Sequence, residues 1–329
     1  MTGGPEALLQ LFLALKKAAD GSIWDIKALT QEPPLAFVNE YPEWAGNVIS
    51  EDHEVSDGSV VIVPEIRRCA DIRLRFPKAE KIFVWLLRGG DVSDRSMDEG
   101  CELISHAYYI SRPQQGNPYW MPGNHGIQVD LAEEYQLTPY LTPSIVREAY
   151  AHTKMLPSGR IYVDDFATPK KNIVIFEDDT RLAAFPDAYD KVVRETISRV
   201  PGTKFVTASG MPRGDLLRLM KDAKIVYDDC MVGSERVPME AALFGSVVIT
   251  NICNVGSRFA DVPYPIRVAG SPDENLEQYT YDLSKAITDA LENYNNSLAD
   301  YAAARLYYAS LGPISLFEES RIFLSRGLG

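Results

Sequence analysis

The chain is poor in cysteine, histidine and positive charge, and these shortages exclude several classes of protein. Its 329 residues include 4 Cys, 4 His and only 33 Lys and Arg against 46 Asp and Glu, which gives a net charge of −13. A surface of that sign repels nucleic acid and anionic membranes. We therefore expect no nucleic-acid partner. An anionic ligand would have to be met by local cations and backbone N–H groups.

The cysteines lie far apart along the chain, and none of them forms a C-x-x-C pair. They are Cys69, Cys101, Cys230 and Cys253. Such spacing suits neither a zinc site nor a disulfide scaffold. We therefore expect four free thiols, which the reducing environment of the cytoplasm would maintain.

Long apolar runs are also lacking. The longest early run, at residues 8–15, is interrupted by Gln10 and is followed by two lysines. It is too short to span a bilayer, and it lacks the charged leader of a signal peptide. The sequence therefore predicts a cytoplasmic protein without a transmembrane segment.

What the chain does contain is a regular alternation of strand and helix patterns. Runs typical of buried strands lie at residues 36–39, 59–63, 81–87, 107–111, 127–130, 172–176, 204–208, 223–227 and 247–250. Helical patterns lie at residues 5–20, 144–151, 187–200, 213–221, 238–244, 276–291, 297–308 and 314–324. This alternation predicts an α/β fold with parallel sheets that helices cover on both faces.

The length allows two α/β domains. The least patterned stretch between the two series of strands lies at residues 155–170 and contains Pro157, Gly159 and Pro169. We therefore predict one domain at residues 1–160 and a second at residues 161–329.

The most informative motif lies at residues 221–251, where a strand, a polar loop, a helix opened by Pro238 and another strand follow one another. A loop that leads to a helix N-terminus beside a parallel sheet can hold a phosphate. The letters EAALFG at residues 240–245, with the strand after them, resemble the donor-binding segment of GT-B glycosyltransferases. ERVPMEAA at residues 235–242 also resembles a D-R-I-P-R-E-A-A segment of GT-B-like proteins.

The resemblance to GT-B proteins implies two Rossmann-like domains that face each other across a cleft. The C-terminal domain would bind a nucleotide sugar, the N-terminal domain would bind the acceptor, and the last helices would cross back. GGPE at residues 3–6 is similar to a turn that normally follows a first strand in these proteins. Because only Met1 and Thr2 precede this turn, we expect that the first strand is missing.

The same resemblance suggests roles for residues around the donor. It implies that Glu240 binds the ribose hydroxyls, although a carboxylate near a helix N-terminus also stabilises the helix by itself. Arg236 would bind the diphosphate, because a guanidinium beside free N–H groups forms an anion site; a solvated loop arginine is the alternative. Gly256 and Ser257 would offer an N–H group and a hydroxyl to the β-phosphate, or form an ordinary turn.

Gly3 and Gly4 precede the first predicted helix. Two glycines at that place let a ligand approach the backbone closely. A frayed terminus is the alternative. We assign them to the nucleotide-sugar site as a hypothesis.

The catalytic base should be a carboxylate or histidine at the carboxyl end of an N-terminal strand. Glu65 follows the strand pattern at residues 59–63, and Asp91 follows the one at residues 81–87. These two residues are our candidates, with His106 and His125 as further options. Each of them would more often be a surface residue or a satisfied core residue.

A metal site is not predicted. Acidic residues cluster at 164–165, 177–179 and 228–229, but the sequence contains no D-x-D motif. Adjacent residues at a strand end point to opposite sides, so the carboxylates of one pair would not converge on an ion. Retaining GT-B enzymes often have a glutamate eight positions before the one matched by Glu240, and here that position is Val232. The stereochemical outcome therefore stays open.

These observations predict a metal-independent glycosyltransferase that needs no cofactor besides its nucleotide-sugar donor. The acceptor would be a hydroxyl of a glycan or a related molecule. A nucleotide-sugar epimerase of the same architecture and a non-catalytic nucleotide-sugar-binding module are the alternatives. The sequence leaves the donor nucleotide, the sugar, the acceptor, the linkage and the oligomeric state open.

Overall fold

A computed structural model describes residues 4–29, 41, 48–49, 55–64, 69–86, 100–105, 136–150, 153–155, 161–163, 169–177, 181–229, 231, 235–252 and 262–328. The chain divides into two compact units. The described residues of Ser144–Ser310 form the C-terminal unit. Those before Ser144 and after Ser310 form the N-terminal unit. Each unit contains its own parallel sheet, and the predicted α/β fold with parallel sheets is thus confirmed.

The elements are named here in chain order. The described α-helices are α1 (Gly4–Ala18), α2 (Cys69–Arg75), α3 (Pro143–Tyr150), α4 (Pro186–Arg199), α5 (Arg213–Asp222), α6 (Arg236–Leu243), α7 (Leu276–Glu292), α8 (Tyr294–Asp300), α9 (Ala302–Ser310) and α10 (Pro313–Ile322). The described strands are β1 (Ala28–Leu29), β2 (Val48–Ile49), β3 (Ser59–Pro64), β4 (Ala79–Leu86), β5 (Glu102–Ser105), β6 (Thr153–Met155), β7 (Ile161–Val163), β8 (Lys171–Phe176), β9 (Lys204–Thr207), β10 (Ala223–Tyr227), β11 (Val247–Asn251) and β12 (Arg267–Val268).

The N-terminal unit is built around the parallel sheet β3-β4-β5. Its middle strand, β4, is buried from Ile82 to Leu86, as expected of a strand with neighbours on both sides. The apolar face of α1 packs against α10, and Phe83 of β4 meets Phe323 edge to face. None of the described helices combines the length and apolar composition of a membrane span.

The C-terminal unit contains five parallel strands in the order β12-β11-β10-β8-β9. From β8 the chain goes to β9 on one side and then crosses back to β10 on the other side. This reversal makes the carboxyl ends of β8 and β10 the topological switch point, the place where ligands bind in open α/β sheets. Because α5 follows β9 and α6 follows β10, both helices begin at this carboxyl edge, and they contact each other.

Several predicted boundaries differ from the structure. The helix predicted at residues 297–308 is two helices, α8 and α9, and α6 begins at Arg236, two residues before Pro238. The sequence patterns also missed α2, β5 and the antiparallel pair β6-β7. The strands predicted at residues 36–39, 107–111 and 127–130 lie outside the described residues.

One expectation about the cysteines is wrong. Cys101, which precedes β5, is disulfide-bonded rather than a free thiol. Wide spacing in the sequence does not keep two cysteines apart, because the crossovers of a parallel sheet bring distant segments together.

Candidate functional site

The switch point of the C-terminal sheet is bordered by acidic residues. Glu177 follows β8 and donates its N–H to the carbonyl of Tyr227 at 3.0 Å, and the N–H of Asp228 reaches the carbonyl of Ile249 at 3.0 Å. Backbone pairing therefore continues past the ends of β8 and β10. It brings Glu177, Asp228 and Asp229 to the same edge of the sheet.

Asp229 is buried and bonded to two tyrosines. The Tyr227 hydroxyl donates to Asp229 Oδ2 at 2.5 Å, the Tyr279 hydroxyl lies 3.3 Å from the same oxygen, and the two hydroxyls are 2.7 Å apart. Burial, together with the negative charge of Asp229, raises the pKa of Tyr227, which keeps this hydroxyl protonated as a donor. These bonds tie α7 to β10. Across the described residues no group of three or more His, Cys, Asp or Glu is arranged to hold a metal.

Glu240 is completely buried, and its partner is an arginine from the neighbouring helix. Nη2 of Arg213 donates to Oε1 of Glu240. The Arg213 side chain is 36% exposed, whereas that of Glu240 is 0% exposed. A buried carboxylate is costly unless a charge or several donors meet it, so this ion pair explains how Glu240 is tolerated. The accessible member of the pair is the arginine side chain.

Both helices at this edge begin with an arginine. Arg213 is the first residue of α5 and the half-buried Arg236 is the first residue of α6, and neither helix has a side-chain cap from the residue before it. A cation at a helix N-terminus is repelled by the helix dipole. Two such cations on neighbouring helices are therefore an arrangement that an anion would stabilise.

The structure places the predicted donor residues differently from the sequence prediction. Arg236 was expected before the helix and is its first residue; Glu240 was expected in the first turn and lies in the second. The helix-dipole explanation for Glu240 is weakened by this shift. Gly4 begins α1. Gly3, Glu65, Asp91, Gly256 and Ser257 lie outside the described residues, and their roles stay predictions.

Sequence reasoning missed Arg213. Its signal was available, because an arginine directly after Pro212 at the start of a helical pattern opposes the helix dipole. Only the packing of α5 against α6 shows that Glu240 is the group that holds it.

A second unusual cation lies at the opposite edge of the same sheet. Lys170 precedes β8, and its Nζ donates to the carbonyl of Met220 at 2.6 Å and to Ser246 Oγ at 3.3 Å. Burial lowers the pKa of Lys170 to about 7. Because this edge is the amino edge of the sheet, Lys170 is not part of the switch-point site; it binds a carbonyl in the last turn of α5.

The sequence matches no protein-family model and no curated protein. Among solved structures, the chain is similar to an alpha-glucosyltransferase in complex with UDP, at 11% identity over 80% of this chain and 81% of that one, with a TM-score of 0.41. It is also similar to the pneumococcal O-GlcNAc transferase GtfA in complex with UDP and GlcNAc, at 13% identity and a TM-score of 0.40. That alignment covers 75% of this chain and 56% of the transferase.

A third similar structure is the spinosyn rhamnosyltransferase SpnG complexed with thymidine diphosphate. It is 12% identical over 100% of this chain and 82% of that one, with a TM-score of 0.37. These three solved structures are all glycosyltransferases.

Proposed function

We propose that the protein transfers a sugar from a nucleotide-sugar donor to a hydroxyl of a glycan or related acceptor, without a metal. The observation that supports this most directly is the pair of arginines that begin α5 and α6 at the carboxyl edge of the sheet. This edge borders the switch point, where an α/β sheet binds its ligand.

The charge of the site suits the leaving group of such a transfer. Negative charge develops on the nucleoside diphosphate as its bond to the sugar breaks, and fixed cations and helix N–H groups stabilise that charge. The chain as a whole is acidic, with a net charge of −13, and Glu177, Asp228 and Asp229 lie at the same edge of the sheet. An anionic ligand would therefore be held there by direct contacts with the two arginines and the helix N–H groups, and not by an overall positive field.

The hydrogen bonds of Asp229 and the positions of the two arginines favour a reaction that needs no metal. The Asp229 carboxylate, which follows a strand as a metal ligand would, is bonded to the hydroxyls of Tyr227 and Tyr279. In this proposal Arg213 and Arg236 supply the positive charge that a divalent cation supplies in other transferases.

The remaining roles are proposed from the sequence. Glu65 or Asp91 would take the proton of the acceptor hydroxyl as general base. Gly3 and Gly4, and the pair Gly256 and Ser257 in their own loop, would contact the donor through backbone N–H groups. Substituting each acid by its amide and measuring turnover at saturating donor would identify the base.

Nucleotide binding provides the first test. Titration calorimetry with UDP, TDP, GDP and ADP should show binding of at least one nucleoside diphosphate. Arg236→Ala should weaken it about 10- to 100-fold, because a hydrogen bond to a charged group is lost. Arg218→Ala is the matched control, since Arg218 lies on α5 but is 75% exposed and paired with Asp215. A folded protein that binds none of the four compounds would contradict the proposal.

Product analysis provides the second test. A transferase should release nucleoside diphosphate faster when a suitable glycan is present, and it should form a glycosylated acceptor. An epimerase would convert the nucleotide sugar without any acceptor. A binding module would bind the nucleotide and leave the sugar unchanged under both conditions.

A further inference from the structure

We infer that Arg213 contacts the phosphate groups of the nucleotide donor, and that Glu240 is a positioning residue that acts through Arg213. This inference rests on the proposed function and deepens it. It departs from the role that the sequence resemblance implied for Glu240, which was direct contact with the ribose hydroxyls.

Accessibility argues against a direct contact of Glu240 with the ribose. The Glu240 side chain is 0% exposed, and Oε1 is already bonded to Nη2 of Arg213. The other oxygen, Oε2, is buried as well. A ribose hydroxyl could therefore reach this carboxylate only if the side chains that cover it moved, whereas Arg213 is open to solvent as it stands.

Arg213 has the opposite character. About a third of its side chain is open to solvent, and its bond to Glu240 uses one of the five N–H groups of a guanidinium. The planar, forked group matches the oxygens of a phosphate and binds them through two hydrogen bonds at once. Arg213 can therefore keep its bond to Glu240 while it binds a ligand from the solvent side.

The position of Arg213 is consistent with this assignment. As the first residue of α5, its charge is unfavourable for the helix unless an anion lies close by. Glu240 supplies one anion from within the protein. It also restricts the conformations of a long side chain and so lowers the entropy that Arg213 loses on binding a ligand.

The chemical class of the ligand follows from the requirement that both arginines bind the same group. Arg236 begins α6, the helix that carries Glu240, and α5 contacts α6. Two guanidinium groups at neighbouring helix N-termini match the several oxygens of a diphosphate better than a neutral sugar. We therefore assign Arg213 to the diphosphate of the donor and not to the sugar or the base.

A purely structural role for the ion pair is the competing explanation. Arg213→Ala alone cannot test it, since it leaves Glu240 buried without its counter-charge. The double variant Arg213→Gln/Glu240→Gln replaces the ion pair by two amides that can still bond to each other. We expect it to unfold within about 3 °C of the wild type, while its affinity for nucleoside diphosphates falls at least tenfold.

The decisive measurement compares UDP and GDP with their 2′-deoxy counterparts by calorimetry, in the wild type and in Glu240→Gln. If Glu240 acts through Arg213, any loss of affinity caused by the missing 2′-hydroxyl should be the same in both proteins. Arg213→Lys keeps the charge but loses the fork, and it should weaken both forms of a nucleotide by about tenfold. Arg218→Ala again serves as the control.

Two results would overturn the inference while leaving the proposed function intact. One is a 2′-deoxy effect that disappears in Glu240→Gln, which would mean a direct ribose contact. The other is unchanged diphosphate affinity in the double glutamine variant, which would mean that the pair only joins two helices. A wild type that binds none of UDP, TDP, GDP and ADP would instead count against the proposed function itself.

Discussion

Two buried glutamates among the described residues have different surroundings, and the difference separates packing from function. In the N-terminal unit, Glu6 of α1 is 2% exposed and accepts hydrogen bonds from the Tyr41 hydroxyl at 2.7 Å and the Thr142 hydroxyl at 3.1 Å. In the C-terminal unit, Glu240 of α6 is held by Arg213.

The donors around Glu6 are neutral and buried themselves. Gln10 joins the cluster, with its Nε2 2.8 Å from the Tyr41 oxygen and 2.8 Å from the carbonyl of Tyr140. Burial and the nearby Glu6 raise the pKa of Tyr41, so the hydroxyl remains a donor. Such a cluster binds α1 to distant parts of its own unit.

The partner of Glu240 is charged and reaches solvent. Neutral buried donors satisfy a carboxylate without placing a charge near the surface. An arginine whose side chain is one-third exposed still has N–H groups that can bind a ligand. We therefore regard a buried acid as a positioning group only where its partner is accessible. By this criterion Glu240 belongs to a binding site and Glu6 to the packing of its unit.

We expect the largest loss of stability from a substitution that removes the hydrogen bonds of Glu6. Glu6→Ala removes the acceptor for two hydroxyls and should lower the free energy of unfolding by about 3 kcal/mol, since buried donors are left without partners. Urea denaturation followed by circular dichroism measures this. Nucleotide affinity, measured below the unfolding range, should stay within twofold of the wild type.

The control for this prediction is Glu6→Gln, which keeps an acceptor oxygen and should lose less stability than Glu6→Ala. If Glu6→Ala instead left stability intact and abolished nucleotide binding, the distinction between the two glutamates would be reversed.

The prediction of intermediate size concerns Glu240. Arg213→Leu/Glu240→Leu replaces a partly buried ion pair with apolar groups. The corresponding exchange of a fully buried pair is often neutral or stabilising by about 1–4 kcal/mol. We expect the free energy of unfolding to stay equal or rise by about 1 kcal/mol, with loss of measurable nucleotide binding. A double variant that is destabilised by several kcal/mol while its nucleotide affinity is unchanged would mean that the pair is structural.

The contrast between these glutamates could be predicted only in part. The strand–loop–helix order at residues 221–251 and the parallel sheet around it followed from β-branched runs and the stop at Gly245. Local patterns of this kind set the secondary structure, and most of the described elements end within two residues of their predicted bounds.

The pairing of Arg213 with Glu240 could not be predicted, because it joins residues 27 positions apart on two helices whose contact depends on the crossover from β9 to β10. The Cys101 disulfide also escaped prediction, since wide spacing along the sequence counts as evidence against a disulfide. Local patterns likewise failed at α6, where they predict Pro238 as the opening residue and the helix begins at Arg236. Proline suits the first turn of a helix and need not be its first residue.

The smallest expected effect concerns a third glutamate, which extends the comparison to a backbone donor. Glu319 of α10 accepts the N–H of Thr138 at 2.6 Å, and burial raises the pKa of Glu319 to about 7. Because the folded pKa lies above the unfolded value of 4.5, the protonated group stabilises the fold fully below pH 4.5. This stabilisation is lost as the pH rises through about 7. Glu319→Gln should therefore match the wild type near pH 4 and be the more stable of the two proteins at pH 8. Thermal unfolding of both proteins across this range provides the test. Equal slopes with pH would mean that Glu319 is ionised within the fold at little cost.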